Sequence, residues 1–574
     1  MDRRLFVKAS LAIGTLATLP GYSDSASIGF AKDNRKEYDI TPKYEREADL
    51  IIIGGGMGGC ATALAACRNG LKVIMTEETG WIGGQVSTQG VPPDEHQWIE
   101  TIGAPASYRE YRRRVRDYYK SNYPMTDAAC QDPFLNPGSG GVSRICHEPF
   151  VSVQVLLQLL LPFVSTGHLR IIYYSKPVAA EMSGNSVSAI VVRNIHTNFL
   201  TALHGKYFAD ATDLGELLPL TGTEYVTGAE SQEQTGEFHA PAVADPTCNQ
   251  AFTYCFAMDY INGENHVIEK PKDYEYWRNF TPRLQPAWAP GKLLCEDYVY
   301  PSNPSKLSRA YFNPLVRELG RGFDWWNYRK IINKDNFVAG TYPSDVTMVN
   351  WPQNDYFDGN LIDVSESEYV RNIEASKQLS LSLLYWLQTE CPRRDGKIGW
   401  PGLRLRGDIF GTEDGLALAP YIRESRRIKA LMTVTEAHVG KEQRLAETGL
   451  SVAAKFNDSV GIGYYHIDLH PSCSGVSYID TGCLQFQIPL GALIPVRVEN
   501  LLPVCKNIGT THITNGCYRL HPVEWSIGEA VGCLVAYAMS KSMLPREVRE
   551  DKKCMDEFQC MIVRQGVTLD WHDS

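Results

Sequence analysis

The sequence predicts an α/β chain: a Rossmann-like domain, discontinuous along the sequence, with an α+β domain inserted into it. Three observations carry this reading. Near the N-terminus an apolar strand runs into a glycine-rich turn and a helix of small residues. A strand–turn–helix segment of similar character returns near residue 500. Between them lies a Pro-, Trp- and Tyr-rich region containing Trp277, Trp288, Trp325, Trp326 and Trp351.

At 574 residues the chain exceeds one hydrophobic core, so several domains are expected. A composition 44 % hydrophobic and 21 % charged excludes wholesale disorder. The net charge of −10 argues against a nucleic-acid partner, which would favour a basic surface. The 15 cysteines show no C-x-x-C and no zinc spacing, so no metal site is expected. Cys554 with Cys560 is the disulfide the sequence leaves open.

Residues 1–31 read as an export signal. Asp2-Arg3-Arg4-Leu5-Phe6-Val7-Lys8 precedes an apolar run from Ala9 to Leu19, and the paired arginines resemble a twin-arginine signal. Such a run is shorter than the ~20 residues a membrane helix needs. Tyr22 stands where a lipidated cysteine would be, so no membrane anchor is expected, and the location implied is periplasmic or secreted.

The first part of the nucleotide domain is placed at 47–225. Ala48 to Ile53 is an apolar strand, followed by G-x-G-x-x-G at Gly54, Gly56 and Gly59, then by the helix formers Cys60 to Ala66. The first glycine permits a tight turn, the second lets a pyrophosphate approach the backbone, and the third brings helix close to strand. Gly70 ends the helix and Leu71 to Met75 form the next strand. Glu77 follows Gly54 by 23 residues, near the ~20 expected for a carboxylate that holds a ribose hydroxyl.

Further segments resemble the FAD-dependent oxidoreductases of glutathione-reductase type. They are Trp81-Ile82-Gly83-Gly84-Gln85, the strand end Tyr207 to Asp213, and the run from Asn500 through Gly509-Thr510-Thr511-His512 and Tyr518-Arg519-Leu520-His521-Pro522 to Gly528-Glu529-Ala530. Two departures stand out: Asp213 replaces a usual glycine, and Lys506-Asn507 replaces a usual Gly-Arg. The resemblance implies FAD as cofactor. It adds Gly84, Gln85, Val178, Ala211, Arg519, Gly528 and Ala530 to Gly54, Gly56, Gly59 and Glu77 as cofactor-binding residues. By the same analogy 226–395 is a substrate or cap domain, 396–545 completes the FAD domain, and 546–574 is a charged tail.

Catalytic candidates lie in the returning segment. Tyr464, His466, Asp468 and His470 alternate, which places them on one strand face. His466 and His470 stand ~13 Å apart on such a strand, too far for one metal ion. The reading is therefore a base, His466, with Asp468 orienting it, and His470 as a substrate contact. His512 lies where the resemblance places the flavin and is a second catalytic candidate. Arg423 and Arg427, spaced i, i+4 on an expected helix, are candidates for an anionic substrate group, with Glu413 and Asp414 as structural partners otherwise.

The function expected is oxidation of a small polar substrate, at a C–H bond beside an alcohol or amine, by hydride transfer to FAD. The electron acceptor stays open among oxygen, a quinone and a partner protein. An NAD-dependent dehydrogenase and a non-catalytic FAD-retaining protein are the alternatives. No second G-x-G-x-x-G and no C-x-x-C is present, which disfavours a disulfide reductase.

Overall fold

The computed structural model describes residues 42–308, 310–315 and 323–571, so the expected export segment lies outside the described residues. β1 (Tyr44–Ile53), α1 (Met57–Arg68) and β2 (Val73–Thr76) form the strand–helix–strand unit. Then come α2 (Ala106–Asn122), α3 (Pro149–Ser165), β3 (Leu169–Ile172), β4 (Ser175–Ser183), β5 (Ser186–Asn194) and β6 (Leu200–Asp210). The sheet order is β3-β2-β1-β6-β5-β4, parallel from β3 to β6 and antiparallel beyond. Leu50 to Ile53 and Val73 to Met75 are continuously apolar and buried, as parallel strands covered on both faces require. Among the described residues no helix is long and apolar enough to cross a membrane.

The inserted region has its own sheet and core. β7 (Phe256–Tyr260), β8 (Lys330–Ile332), β9 (Val346–Val349) and β10 (Leu403–Leu405) form an antiparallel sheet in the order β8-β9-β7-β10. Helix α4 (Glu366–Thr389) begins at Ser365, whose side chain accepts from the Glu368 amide. It buries Leu379, Leu383, Leu384 and Leu387 in a cluster with Trp277, Trp288, Trp326, Trp351 and Trp400. The last strand of this sheet lies beyond residue 395.

The chain then returns through β11 (Ser459–Gly463), β12 (Ile467–Leu469), β13 (Ile479–Thr481), β14 (Phe486–Pro489) and β15 (Leu501–Pro503). It closes with α5 (His512–Tyr518), α6 (His521–Lys541) and α7 (Lys552–Arg564). β15 enters the central sheet beside β6, which forks: its first half pairs with β5 and its last three residues pair with β15. Asn500 fills the fork. Its Oδ1 accepts from Val187 N at 2.8 Å, and its Nδ2 donates to Val187 O at 2.9 Å and Lys206 O at 3.0 Å. Within the segment expected as a tail, α7 buries Met555, Phe558 and Ile562 in the main core. Cys554 and Cys560 are free thiols, so the disulfide left open by the sequence is absent.

Candidate active site

The glycine turn sits at the C-terminal end of β1, where ligands bind in such sheets. Gly54 adopts φ +103°, a left-handed conformation that side chains resist. A Cβ on Gly59 would lie 2.3 Å from Gly54 O, so the third glycine sets the close helix approach. Gly56 differs: the nearest atom to a Cβ there is 3.5 Å away, leaving an open backbone. Helix α1 starts at Gly56 with no side-chain cap at that residue and no acid of its own in the first turn; the Gly58 amide donates to the distant Glu524 Oε1 at 3.4 Å.

The cleft is lined by Gly54, Gly56, Glu77, Gly84, Ala211 and Pro177 among others. Glu77 accepts from Gly55 N at 3.1 Å and from Thr79 N and Oγ1 at 2.8 Å. Burial, reinforced by Glu78 and Asp213, pushes its carboxyl up to about 7 against the Thr79 hydrogen bonds. Val178 is the extra residue of a bulge in β4, between paired Pro177 and Ala179; its neighbour Pro177, rather than Val178, lines the cleft. Gln85 is buried and donates through Nε2 to Arg519 O at 3.1 Å and to the Glu524 carboxylate. Its Oε1, and that of Gln89, have no hydrogen-bond partner. An open backbone at Gly56, a helix start at the cleft and a carboxylate at ribose spacing together fit FAD.

Three expected cofactor contacts lie elsewhere. A Cβ on Gly528 would meet Gly58 O at 2.1 Å, and Thr62 Oγ1 donates to Gly528 O at 3.0 Å. Gly528 therefore lets α6 lie against α1, and Ala530 is buried in the core beside it. The Arg519 side chain points into a second, polar pocket rather than the cleft.

That pocket gathers His466, Asp468, His470 and Asp480 from the returning segment, Arg423, Tyr421 and Arg519, and Asp94 and Arg329. The expected alternation holds from His466 to His470, with Ile467 and Leu469 buried behind them, and fails before it. Tyr465 lines this pocket, whereas Tyr464 faces another cavity with Trp98 and Trp571. The carboxylate on His466 is also corrected. Asp480, opposite on β13, lies 2.6 Å from His466 Nδ1, while Asp468 accepts from Arg519 Nη2 at 3.1 Å. His470 Nδ1 lies 2.6 Å from Asp355, and its Nε2 is 3.7 Å from Asp468.

The electrostatics follow. Burial opposes charge on His466, but the Asp480 hydrogen bond and the charges of Asp468, Asp480 and Asp94 raise its pKa overall. Burial would raise Asp468, yet His470, Arg519 and His466 hold it well below the usual carboxylate range. Among the described residues no cluster fit to hold a metal ion occurs.

The expected helix carrying Arg423 and Arg427 is not formed. Tyr421 exchanges both backbone hydrogen bonds with Thr253, at 2.8 and 3.0 Å, and Arg427 begins a short strand paired with Val226. Arg427 is fully buried, meeting Glu424 at 2.6 Å and Glu230 at 2.9 Å, so it is structural rather than substrate-binding. Glu413 and Asp414 are not the partners: Asp414 pairs with Lys377 at 2.8 Å. Arg423 does reach the pocket, held by Asp355 at 3.0 Å and Ala251 O at 2.9 Å. His512 is corrected in the same way. It lies 2.8 Å from Glu424, and Glu424 with Cys248 overrides burial to raise its pKa to about 10. His512 lines neither the cleft nor the polar pocket, so its place is beside Glu424 rather than at either site. His521 has the opposite character: burial pushes it down to about 4, its Nδ1 accepts from Asp94 N at 3.1 Å, and its Nε2 has no partner. Arg329, Asp480 and Asp355 escaped the sequence reading because their partners are distant in sequence or opposite on another strand.

Comparison with known proteins bears on the cofactor. The chain is 35 % identical over 68 residues to the cinnamate reductase of Clostridium sporogenes, covering 12 % of this chain and 10 % of that one. It is 40 % identical over 50 residues to the glutathione reductase of Schizosaccharomyces pombe, covering 9 % and 11 %. The chain thus spans about a tenth of the length of the curated relatives it matches. Among solved structures, it is similar to the glycerol-3-phosphate dehydrogenase from Bacillus halodurans complexed with FAD. That match has 12 % identity and TM-score 0.22, and covers 38 % of this chain and 40 % of that one. The family model for FAD dependent oxidoreductase matches residues 49–561. With most of its length in that match and a cleft that fits FAD, the chain belongs to the FAD dependent oxidoreductase family.

Proposed function

We propose that the chain oxidises a small polar substrate in the polar pocket, at a C–H bond beside an alcohol or amine. FAD supplies the acceptor for the hydride. Gly54, Gly56, Gly59, Glu77, Gly84, Ala211 and Gln85 are assigned to holding it. His466 takes the proton of the substrate heteroatom. The observation that carries this is the 2.6 Å contact of His466 Nδ1 with Asp480, which fixes the ring and leaves Nε2 for the proton. Asp468 holds Arg519, and Tyr421 accepts from Arg519 Nη1 at 2.9 Å, so the wall opposite is braced. Because the pKa of His466 is raised, reduction is expected to quicken as pH rises through it.

Anaerobic mixing of the holoenzyme with hydroxy acids, amines, amino acids and sugars, followed by flavin bleaching, tests the reading. His466→Gln is expected to keep its FAD and slow bleaching by ~10² or more, and Asp480→Asn by less. A wild-type rate in His466→Gln overturns the assignment and passes the role to His470 with Asp355.

Residues 1–31 are proposed to direct twin-arginine export to a periplasmic or secreted location. Arg3→Lys with Arg4→Lys should leave the protein in the cytoplasm; normal export would point to the general secretory route.

A further inference from the structure

The polar pocket holds a guanidinium that the protein leaves largely unsatisfied. Arg329 precedes β8, is 8 % exposed, and lines the pocket. Its Nε and Nη1 have no hydrogen-bond partner. Its ion pair with Asp94 is loose, at 3.3 Å, and Asp94 Oδ1 is itself without a hydrogen bond. By contrast, Arg427 is met by two carboxylates, and Arg406 by Asp259 at 3.0 Å and Asp408 at 2.7 Å. Buried polar atoms are nearly always paired, and an unmade bond on a charged donor is costly. The Nε atoms of Arg423 and Arg519, in the same pocket, are unpaired as well. The Nη atoms of those two are already held, Arg423 by Asp355 and Ala251 O and Arg519 by Tyr421 and Asp468, so Arg329 is the guanidinium of this pocket left for an external acceptor.

The charges around the pocket restrict that acceptor. Asp94, Asp355, Asp468 and Asp480 are set against Arg329, Arg423, Arg519 and two imidazoles. A carboxylate adds a single negative charge to this balance, whereas a phosphate ester adds nearly two. The guanidinium fork matches a carboxylate in plane. Tyr298, Trp325, Tyr328, Tyr421, Tyr465 and Tyr478 wall the pocket, as a ring-bearing or carbon-chain substrate requires. Its cavity volume of ≈ 220 Å³ limits the occupant to a small molecule.

We propose that the substrate is a hydroxy acid, either a short-chain acid or a sugar acid, docked by its carboxylate on Arg329. This rests on the reading of the pocket as the substrate site. The carbinol C–H leaves with its electron pair to FAD, which is reduced by two electrons. The hydroxyl proton goes to His466 Nε2, and the carbinol becomes a C=O group with the carboxylate unchanged.

The test uses the oxidised holoenzyme and two probe series: lactate, malate and glycerate, and gluconate and glucuronate, each beside its amide or neutral sugar. Binding is followed by calorimetry and by perturbation of the flavin absorbance, and reduction by anaerobic bleaching. Acids are expected to bind and to bleach ahead of their neutral counterparts. Arg329→Lys keeps the charge and removes the fork. It should weaken acid binding by roughly 10- to 150-fold without changing FAD content or reduction by dithionite. Arg329→Gln with Asp94→Asn repeats the test without leaving a lone buried charge. The series that bleaches the flavin identifies the chain length. Acids that bind no better than amides, or equal binding in both Arg329 variants, overturn the proposal. Acid binding that depends on Arg329 without perturbing or bleaching the flavin keeps the anion site and overturns the pocket as the site of oxidation.

Discussion

Lys506 Nζ lies 2.6 Å from Asp213 Oδ1, and Asp213 Oδ2 accepts from Gln89 Nε2 at 2.7 Å. Both residues mark places where the chain departs from the pattern it resembles, and the two departures answer each other. A lysine side chain only 1 % exposed needs a carboxylate, and the position usually held by glycine supplies it. Asp213→Gly alone should therefore destabilise the apoprotein by about 1–3 kcal/mol, the pair being partly open to solvent on the Asp213 side. Adding Lys506→Met should recover most of that loss. Thermal unfolding of the three proteins decides, and an unshifted single variant refutes the pairing.

The glycines should separate by phenotype. Gly59→Val drives a side chain into Gly54 O and should prevent folding. Gly56 has room for a side chain, and its extended φ of −63° suits any residue. Gly56→Val should therefore fold and fail to load FAD, because the side chain stands where a pyrophosphate needs the backbone. Absorbance of the purified protein near 450 nm relative to 280 nm is the readout. Stoichiometric FAD in folded Gly56→Val would move the pyrophosphate elsewhere.

FAD affinity should depend on pH through Glu77. In the unliganded cleft this carboxyl holds its proton up to about pH 7, whereas ribose hydroxyls donate to the ionised form. Binding then releases a proton, so affinity rises with pH up to about 7 and levels off above it, by at most about tenfold per unit for one proton. FAD titrations of the apoprotein at several pH values should show this slope, reduced in Glu77→Gln. A slope unchanged in that variant assigns it to Glu216, which also lines the cleft and is pushed by burial to about 7.

His512 predicts an alkaline limit to stability. Its folded pKa of about 10 lies above the ordinary 6.5. The proton is held more tightly in the folded state, so the contribution is complete below about pH 6.5 and lost as pH rises through 10. Melting temperatures should fall across that range, less steeply in His512→Gln. Parallel slopes for the two proteins would remove His512 from the account.

The sequence makes local grammar visible and hides pairing across the fold. The Gly54–Gly59 turn, Glu77 and the return at Asn500 are legible because strand, turn and helix are adjacent in the chain. Asp480 is not, because its role on His466 depends on the hairpin that sets β13 opposite β12. Arg423 and Arg427 mislead for a related reason. Their spacing is helical, but the backbone hydrogen bonds of Tyr421 go to Thr253 and the charges of both arginines go to acids elsewhere in the fold. Partners separate two buried histidines that look alike in sequence: Glu424 raises the pKa of His512, whereas burial prevails at His521, whose Nε2 has no partner.

The fork in β6 has a temporal consequence. The last strand of the central sheet and the helix laid against α1 come from residues beyond 500, so Gly58 meets Gly528 only after the whole insertion exists. At ~5–20 residues per second, synthesis separates the two glycines by on the order of 25–95 seconds. Throughout that interval the glycine turn lacks its covering helix, and β6 carries an unpaired edge where β15 will lie. Cofactor capture is thus an event of the finished chain, and a ribosome stalled inside the insertion would display a Rossmann half with an exposed, aggregation-competent strand.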